Sequence, residues 1–229
     1  MKRKKPLISV IIPVHNEEKY IKRALSSIKA QSFKDYEVIV VADSCTDRTA
    51  EIAKSFGCRV IEVKTKNIGE NRNIGASKAK ADIFVFLDAD VRVTRGYLKE
   101  VYRAVKNGYG CGRPYYFYDN SNFNLFFIHN ITHLPYYPHT YFVTKKYFDL
   151  AGGYAKDLKN MNEDAEFSDR VNKICKSCVL DAKAFNSDRR FEKYGVVKEV
   201  IFAIYVVFCY FVVYKMFGVY IAPKDNPIR

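Results

Sequence analysis

The chain lacks the cysteine density of a disulfide scaffold. Its six cysteines, Cys45, Cys58, Cys111, Cys175, Cys178 and Cys209, are scattered over 229 residues, and a reducing compartment is the simpler inference. Cys175 and Cys178 form a CxxC, but no second pair exists to complete a zinc site, so the pair reads as structural. The N-terminal stretch is also not expected to be a secretory leader. "MKRKKPLISVIIPVHN" is basic and then briefly apolar, without a small-residue cleavage site, and reads as a strand. Acidic residues are in deficit: 25 Asp and Glu against 38 Lys and Arg leave a formal charge of +13, which suits an anionic partner such as a nucleotide or an anionic membrane surface. Nucleic acid is not expected, because no helix carries a clustered base-reading arrangement. With 48% hydrophobic and 28% charged residues, the chain can bury a sizeable core and is not disordered.

What is present is an alternation. "LISVIIP" and "YEVIVVADS" are β-branched apolar runs of buried-strand length, and "RVIEVK" and "IFVFLDAD" supply two more strands. Between them lie helical patterns: one after Asn16, which stands where an N-cap would, with Ile21, Ala24, Leu25 and Ile28 on one face; "TDRTAEIAKSFG", stopped by Gly57; and "IGENRNIGASKAKAD". Strands alternating with helices predict an α/β architecture, a mostly parallel open sheet flanked by helices. Ligands of such sheets bind beyond the carboxyl ends of the strands, where this chain places "HNE", "ADS" and "DAD".

In "FLDAD" an apolar strand ends in Asp88 and Asp90, two residues apart and therefore on one side of an extended segment. Their repulsion needs an offset: a divalent cation, a ring of donors, or exposure to water as a plain polar turn. Further on, "VTKKYFDLAGGY" predicts a short helix capped by Thr144 and ended by Gly152 and Gly153. "NEDAEFSDRVNKIC" predicts an amphipathic helix with Ala165, Val171, Ile174 and Cys175 inward. Glu163 and Asp164 fall in its first turn, where carboxylates suit the helix dipole and where a cleft-facing base could also be held. The aromatic stretch 111–140 has no clear periodicity; it contains His129, His133 and His139, to which no role is assigned.

Residues 200–214 carry no charge, and the apolar run continues past Lys215 to residue 222, about the length that spans a bilayer core. Arg189, Arg190, Lys193 and Lys198 precede it, so the expectation is a C-terminal membrane-associated helix with the rest of the chain on the cytoplasmic side. The expected organisation is a catalytic domain over 1–195, with halves 7–110 and 111–195, and an apolar helix and tail over 196–229.

"SVIIPVHNE", Asp43 in "VVADSCTDRT", "NRNIG", "FLDAD", "AGGY" and "NEDAEF" occur in the order seen in family-two inverting glycosyltransferases of the GT-A fold, which the chain resembles over residues 7 to about 170. The resemblance implies metal-dependent transfer of a sugar from a UDP- or GDP-linked donor to an acceptor hydroxyl or lipid phosphate. It implies Asp90 as ligand of Mg²⁺ or Mn²⁺, with Asp88 reaching the ribose or the metal shell beside Ala89. Pro13, Val14, His15, Asn16 and Glu17 would form the loop around base and ribose. Asp43 would accept from the base, Arg72 would lie near the nucleotide, Asp164 would be the base with Glu163 as second candidate, and Arg189 and Arg190 would clamp the diphosphate. The chain departs from processive relatives in lacking QxxRW. It departs from dolichyl-phosphate mannose synthases in having Arg92 where their metal-supporting glutamine is expected. A nucleotidyltransferase is the alternative from another class, but "PVHNEEKY" has no glycine-rich phosphate loop. An inactive nucleotide-sugar-binding module would be favoured by loss of Asp90 or Asp164, and both are present.

Overall fold

The computed structural model describes residues 5–119, 140–156 and 163–195, together with 198, 201 and 205. His129, His133, His139 and most of the apolar run 200–222 lie outside the described residues. Among the described residues no helix is long and apolar enough to cross a membrane.

Four parallel strands form the first half: β1 (Ile8–Val14), β2 (Tyr36–Asp43), β3 (Arg59–Val63) and β4 (Ile83–Leu87), in the order β3-β2-β1-β4. The connecting helices are α1 (Ile21–Lys29), α2 (Thr49–Ser55) and α3 (Ile68–Lys78). Every residue of β1 is buried because both sheet faces are covered, which is why its sequence is continuously apolar rather than alternating. Ile8, Val10, Ile12 and Val14 pack on one side with Ile21, Leu25 and Ile28 of α1, whereas Ile11 faces Ala76, Phe84 and Phe86 on the other. Helix α3 is unusual, for its buried residues are Gly69, Asn71, Arg72, Gly75 and Ala76. A Cβ on Gly75 would stand 2.3 Å from Ile11 Cγ2, so the glycine lets the helix backbone lie directly on the sheet.

The second half departs from the parallel pattern. It contains β5 (Arg92–Val93), α4 (Tyr97–Lys106), β6 (Cys111–Tyr118), β7 (Thr140–Thr144), α5 (Lys145–Leu150), α6 (Glu163–Asn172), β8 (Ser177–Asn186) and α7 (Arg189–Tyr194). Strand β7 inserts antiparallel beside β4, and the eight-stranded sheet continues β7-β6-β8-β5 with mixed directions. Apolar runs predict strands but not their direction, so only the β-α alternation of the first half carried that information.

Several local expectations are corrected. Asn16 does not cap α1, which starts at Ile21; it adopts a left-handed φ of 51°, and its side-chain oxygen accepts from the Thr46 amide at 2.8 Å. Thr144 holds the cap position of α5 without a side-chain cap bond. Ile174 is exposed because α6 ends at Asn172. Cys175 packs on the core behind α6 and Cys178 on the opposite core, so the CxxC is not one site; Cys175 instead lies 3.3 Å from Cys111.

Candidate active site

Strand β4 ends at Leu87, and Asp88 to Val91 form a turn closed by the Val91 amide on Asp88 O at 3.2 Å. The two aspartates therefore do not project together from an extended strand. Each meets its own guanidinium: Asp88 Oδ1 lies 2.9 Å from Arg72 Nη2, and Asp90 Oδ2 lies 3.1 Å from Arg189 Nη2. Ala89 is buried between them.

Arg72 projects from the buried face of α3 and is 1% exposed. Its Nη1 lies 3.0 Å from Glu163 Oε1 and 2.9 Å from Asp164 Oδ1 in the first turn of α6, so one guanidinium joins the β4 turn to two carboxylates from the other half of the chain. The guanidinium lies 5.2 Å from the ring of Tyr154, which stacks at 4.1 Å on Phe167 of α6. A side chain this buried must be held from several directions, because an uncompensated charge in the core is costly. Burial works against the Arg72 charge, but Asp164 and Asp88, with Tyr154 and Glu163, outweigh it and hold the guanidinium protonated. One positive charge cannot neutralise three carboxylates. Burial pushes the Asp164 carboxyl well above the usual range, and Glu163 and Asp88 add to the rise against the pull of Arg72.

The "AGGY" turn is built to present Tyr154. The Asn73 side chain donates to Tyr154 O and accepts from Tyr154 N, both at 2.8 Å. Gly153 has φ 72°, and a Cβ there would meet Asn73 Oδ1 at 2.7 Å. Arg170 closes the turn from α6, donating to the carbonyls of Ala151 and Gly153 while pairing with Glu166.

Asp43, 3% exposed at the end of β2, accepts from Ser44 Oγ at 2.9 Å and from Thr65 Oγ1 and Asn71 Nδ2 at 3.0 Å each. Burial would raise its pKa, but these donors and the Lys66 amide outweigh burial and hold it below the usual carboxylate value. His15 donates from Nδ1 to Asp43 O at 2.6 Å. Asn16, Ser44 and Lys66 all have left-handed φ near 50°, one in each loop after β1, β2 and β3, so the backbone beyond these strand ends is bent and held by hydrogen bonds around Asp43 and Asn16. Pro13 and Val14 are strand residues paired with Val41 and Ala42, not loop residues, and the loop begins at His15.

Glu17 receives Arg189 Nη1 at 2.8 and 2.7 Å on its two oxygens, and the same guanidinium lies 5.0 Å from the Tyr20 ring. Burial raises the Glu17 pKa; Arg189 partly offsets this, and the charges of Asp90 and Asp88 add to the rise. Arg190 follows in α7, and its side chain lies outside the described part of the structure. Arg92 turns to Asp119 at 2.8 Å and lies 4.4 Å from the Phe185 ring, away from the aspartates of the β4 turn. The three carboxylates on Arg72 are held by its guanidinium, and among the described residues no three His, Cys, Asp or Glu side chains are grouped so as to hold a metal ion. Asn71 and Asn73 stand in "NRNIG" and Tyr154 in "AGGY", but the sequence pattern assigns none of them a role, and nothing in it points to Thr65 or Arg170.

The architecture defines the class. The crystal structure of Staphylococcus aureus TarS 1–349 superposes with a TM-score of 0.68 at 21% identity, covering 86% of this chain and 65% of that one. Mannosyltransferase PcManGT from Pyrobaculum calidifontis, in complex with GDP-Man and Mn²⁺, superposes at 0.67 with 18% identity over 80% and 57%. The fold is thus GT-A-like. The family model for glycosyl transferase family 2 matches residues 9–155, and the chain belongs to that family. Among curated relatives it is 41% identical over 100 residues to the 4,4'-diaponeurosporenoate glycosyltransferase of Staphylococcus haemolyticus, which is 41% of this chain and 26% of that protein. It is 33% identical over 103 residues to glycosyltransferase GlyA of Streptococcus pneumoniae, which is 43% of this chain and 15% of that protein. The chain spans well under half the length of these relatives.

Proposed function

We propose that the protein transfers a hexosyl group from a UDP- or GDP-linked donor to an acceptor hydroxyl or lipid phosphate, with inversion and with the help of a divalent cation. The observation that carries this reading is Arg72, which ties Asp88 of the nucleotide half to Glu163 and Asp164 of the acceptor half within 3.0 Å. A transferase must align donor and acceptor, and fixing groups on both sides by one rigid contact is what alignment requires. TarS has been crystallised with UDP-GlcNAc and with UDP, which supports a nucleotide-sugar donor for this fold.

In this reading Asp164 takes the acceptor proton. A carboxyl raised by burial is a stronger base once ionised, and Arg72 fixes its orientation. Glu163, on the same guanidinium, shares the positioning. His15, Asn16 and Glu17 border the donor, while Asp43 fixes the curvature of the loops that receive the base. Asp90 and Asp88 fit Mg²⁺ or Mn²⁺, since both offer hard oxygen donors in one turn, and such cations take one or two carboxylates and complete their shell with phosphate and water. The cation would stabilise the charge on the departing diphosphate. The basic collar and the apolar run 200–222 support association with a membrane from the cytoplasmic side, and an acceptor carried on a lipid.

A panel of UDP-, GDP- and dTDP-sugars with Mn²⁺, read first by thermal stabilisation and then by donor hydrolysis, tests the reading. Stabilisation by no sugar nucleotide sinks it.

A further inference from the structure

We propose that Arg189 is a built-in counter-ion that occupies the cation position at Asp90 and changes partner when the nucleotide arrives, so that the divalent cation enters only together with the diphosphate. The inference rests on the donor reading above and adds an order of events to it.

Three observations converge. Arg189 binds both oxygens of Glu17 through Nη1, at 2.8 and 2.7 Å, and Asp90 through Nη2 at 3.1 Å, bridging the loop after β1 to the turn after β4. The three side chains are partly buried, at 29%, 16% and 17% exposure, so the contact is not a solvent-screened surface pair. Among the described residues no three His, Cys, Asp or Glu side chains are grouped as a preformed metal cage.

The consequence is electrostatic. A free divalent cation approaching Asp90 meets a fixed positive charge, and among the described residues it finds no group of three His, Cys, Asp or Glu side chains to compensate the lost hydration. A metal–diphosphate complex meets different conditions. Its cation can cover Asp90, and its phosphate oxygens give the displaced guanidinium new acceptors of the geometry it favours. Arg189 then exchanges carboxylates for phosphates instead of losing partners. The same side chain thus lowers affinity for the bare cation and raises affinity for the nucleotide, two effects of opposite sign that a purely structural ion pair does not produce.

The test uses the full chain with Mn²⁺ alone, followed by loss of the free-ion EPR signal, and with UDP or GDP plus Mn²⁺, followed by calorimetry. Arg189→Gln should bind Mn²⁺ alone about tenfold more tightly than wild type, and the Mn²⁺–nucleotide about tenfold more weakly. Arg189→Met, which keeps the apolar stem near Tyr20, should behave the same way and serves if the first variant has lost its thermal transition. Arg189→Lys should retain weak binding of Mn²⁺ alone. Unchanged or weaker binding of Mn²⁺ alone by the neutral variants overturns the proposal, as does unchanged affinity for the Mn²⁺–nucleotide. If wild type holds neither UDP nor GDP, the donor reading falls, and the Mn²⁺ measurement alone still decides whether Arg189 guards Asp90.

Discussion

Arg72 Nη1 and Asp164 Oδ1 stand 2.9 Å apart, joining the middle of a helix packed on the parallel sheet to the first turn of a helix from the other half of the chain. Removing the arginine leaves Asp88, Glu163 and Asp164 without the cation that holds them. Arg72→Met should therefore cost about 3–5 kcal/mol and lower the melting temperature by about 10 °C, measured by calorimetry. A melting temperature within 2 °C or so of wild type would show that the hub is not structural.

Asp164→Asn keeps an oxygen for Arg72 and removes one of the crowded negative charges. Stability should hold or rise slightly, and nucleotide binding should persist. Transfer should fall by about 10² to 10⁴-fold, the usual contribution of a positioned base. Single-turnover assays beside nucleotide calorimetry separate these effects, and unchanged turnover removes Asp164 from the role of base.

The pH dependence has a definite sign. Asp164 has a folded-state pKa above its ordinary value of 3.8, so between that value and the raised one the folded chain binds more protons than the unfolded chain. Stability contributed by this group falls as pH rises through that window and levels off above it, whereas turnover rises as the base ionises. Asp43 behaves oppositely: its pKa is lowered, so its contribution is present above 3.8 and is lost as pH falls through the depressed value. Denaturant titrations from pH 4 upward, on wild type and Asp164→Asn, should show a decline that the variant lacks.

Asp43→Asn removes the charge that several donors share and, with its amide nitrogen in the place of Oδ2, sets a donor against the Asn71 amide nitrogen, which cannot accept it. The expected loss is about 1.5–3 kcal/mol, with weaker binding of every nucleotide whatever its base, because the loops after β2 and β3 are tied together through this carboxylate. Calorimetry with UDP and GDP checks it; a loss confined to one base would make Asp43 a direct reader of that base.

Gly75→Ala forces a methyl to within 2.3 Å of Ile11 Cγ2 and 3.2 Å of Val41 Cγ2. Overpacking at a helix–sheet contact should cost about 1–3 kcal/mol, visible as a lower urea midpoint at unchanged slope.

The first half of the fold was legible because β-branched runs and helical patterns alternate, and that alternation dictates parallel pairing. The site was legible as a set of strand ends, since Asp43, Asp88 and Asp90 follow apolar runs directly. What could not be read was which charges meet. Asp88 and Asp90 share a spacing of two, yet a turn replaces the strand at Asp88, and their counter-ions come from Arg72 and Arg189, far away in the chain. Arg72 reads as a solvated helix residue by local pattern; only the close seat of Gly75 on β1 shows why that face of α3 is inside. Direction in the second half was hidden for a similar reason, because β7 pairs with β4 through contacts that no local periodicity encodes.

The Asn73 side chain and the Tyr154 backbone make two opposed hydrogen bonds, as neighbouring strands do in a narrow pair. A chimera that keeps residues 7–110 and imports the remainder from a relative must therefore bring a turn whose backbone matches this asparagine. A mismatched graft would lose the ring beneath Arg72 before any acceptor could be exchanged.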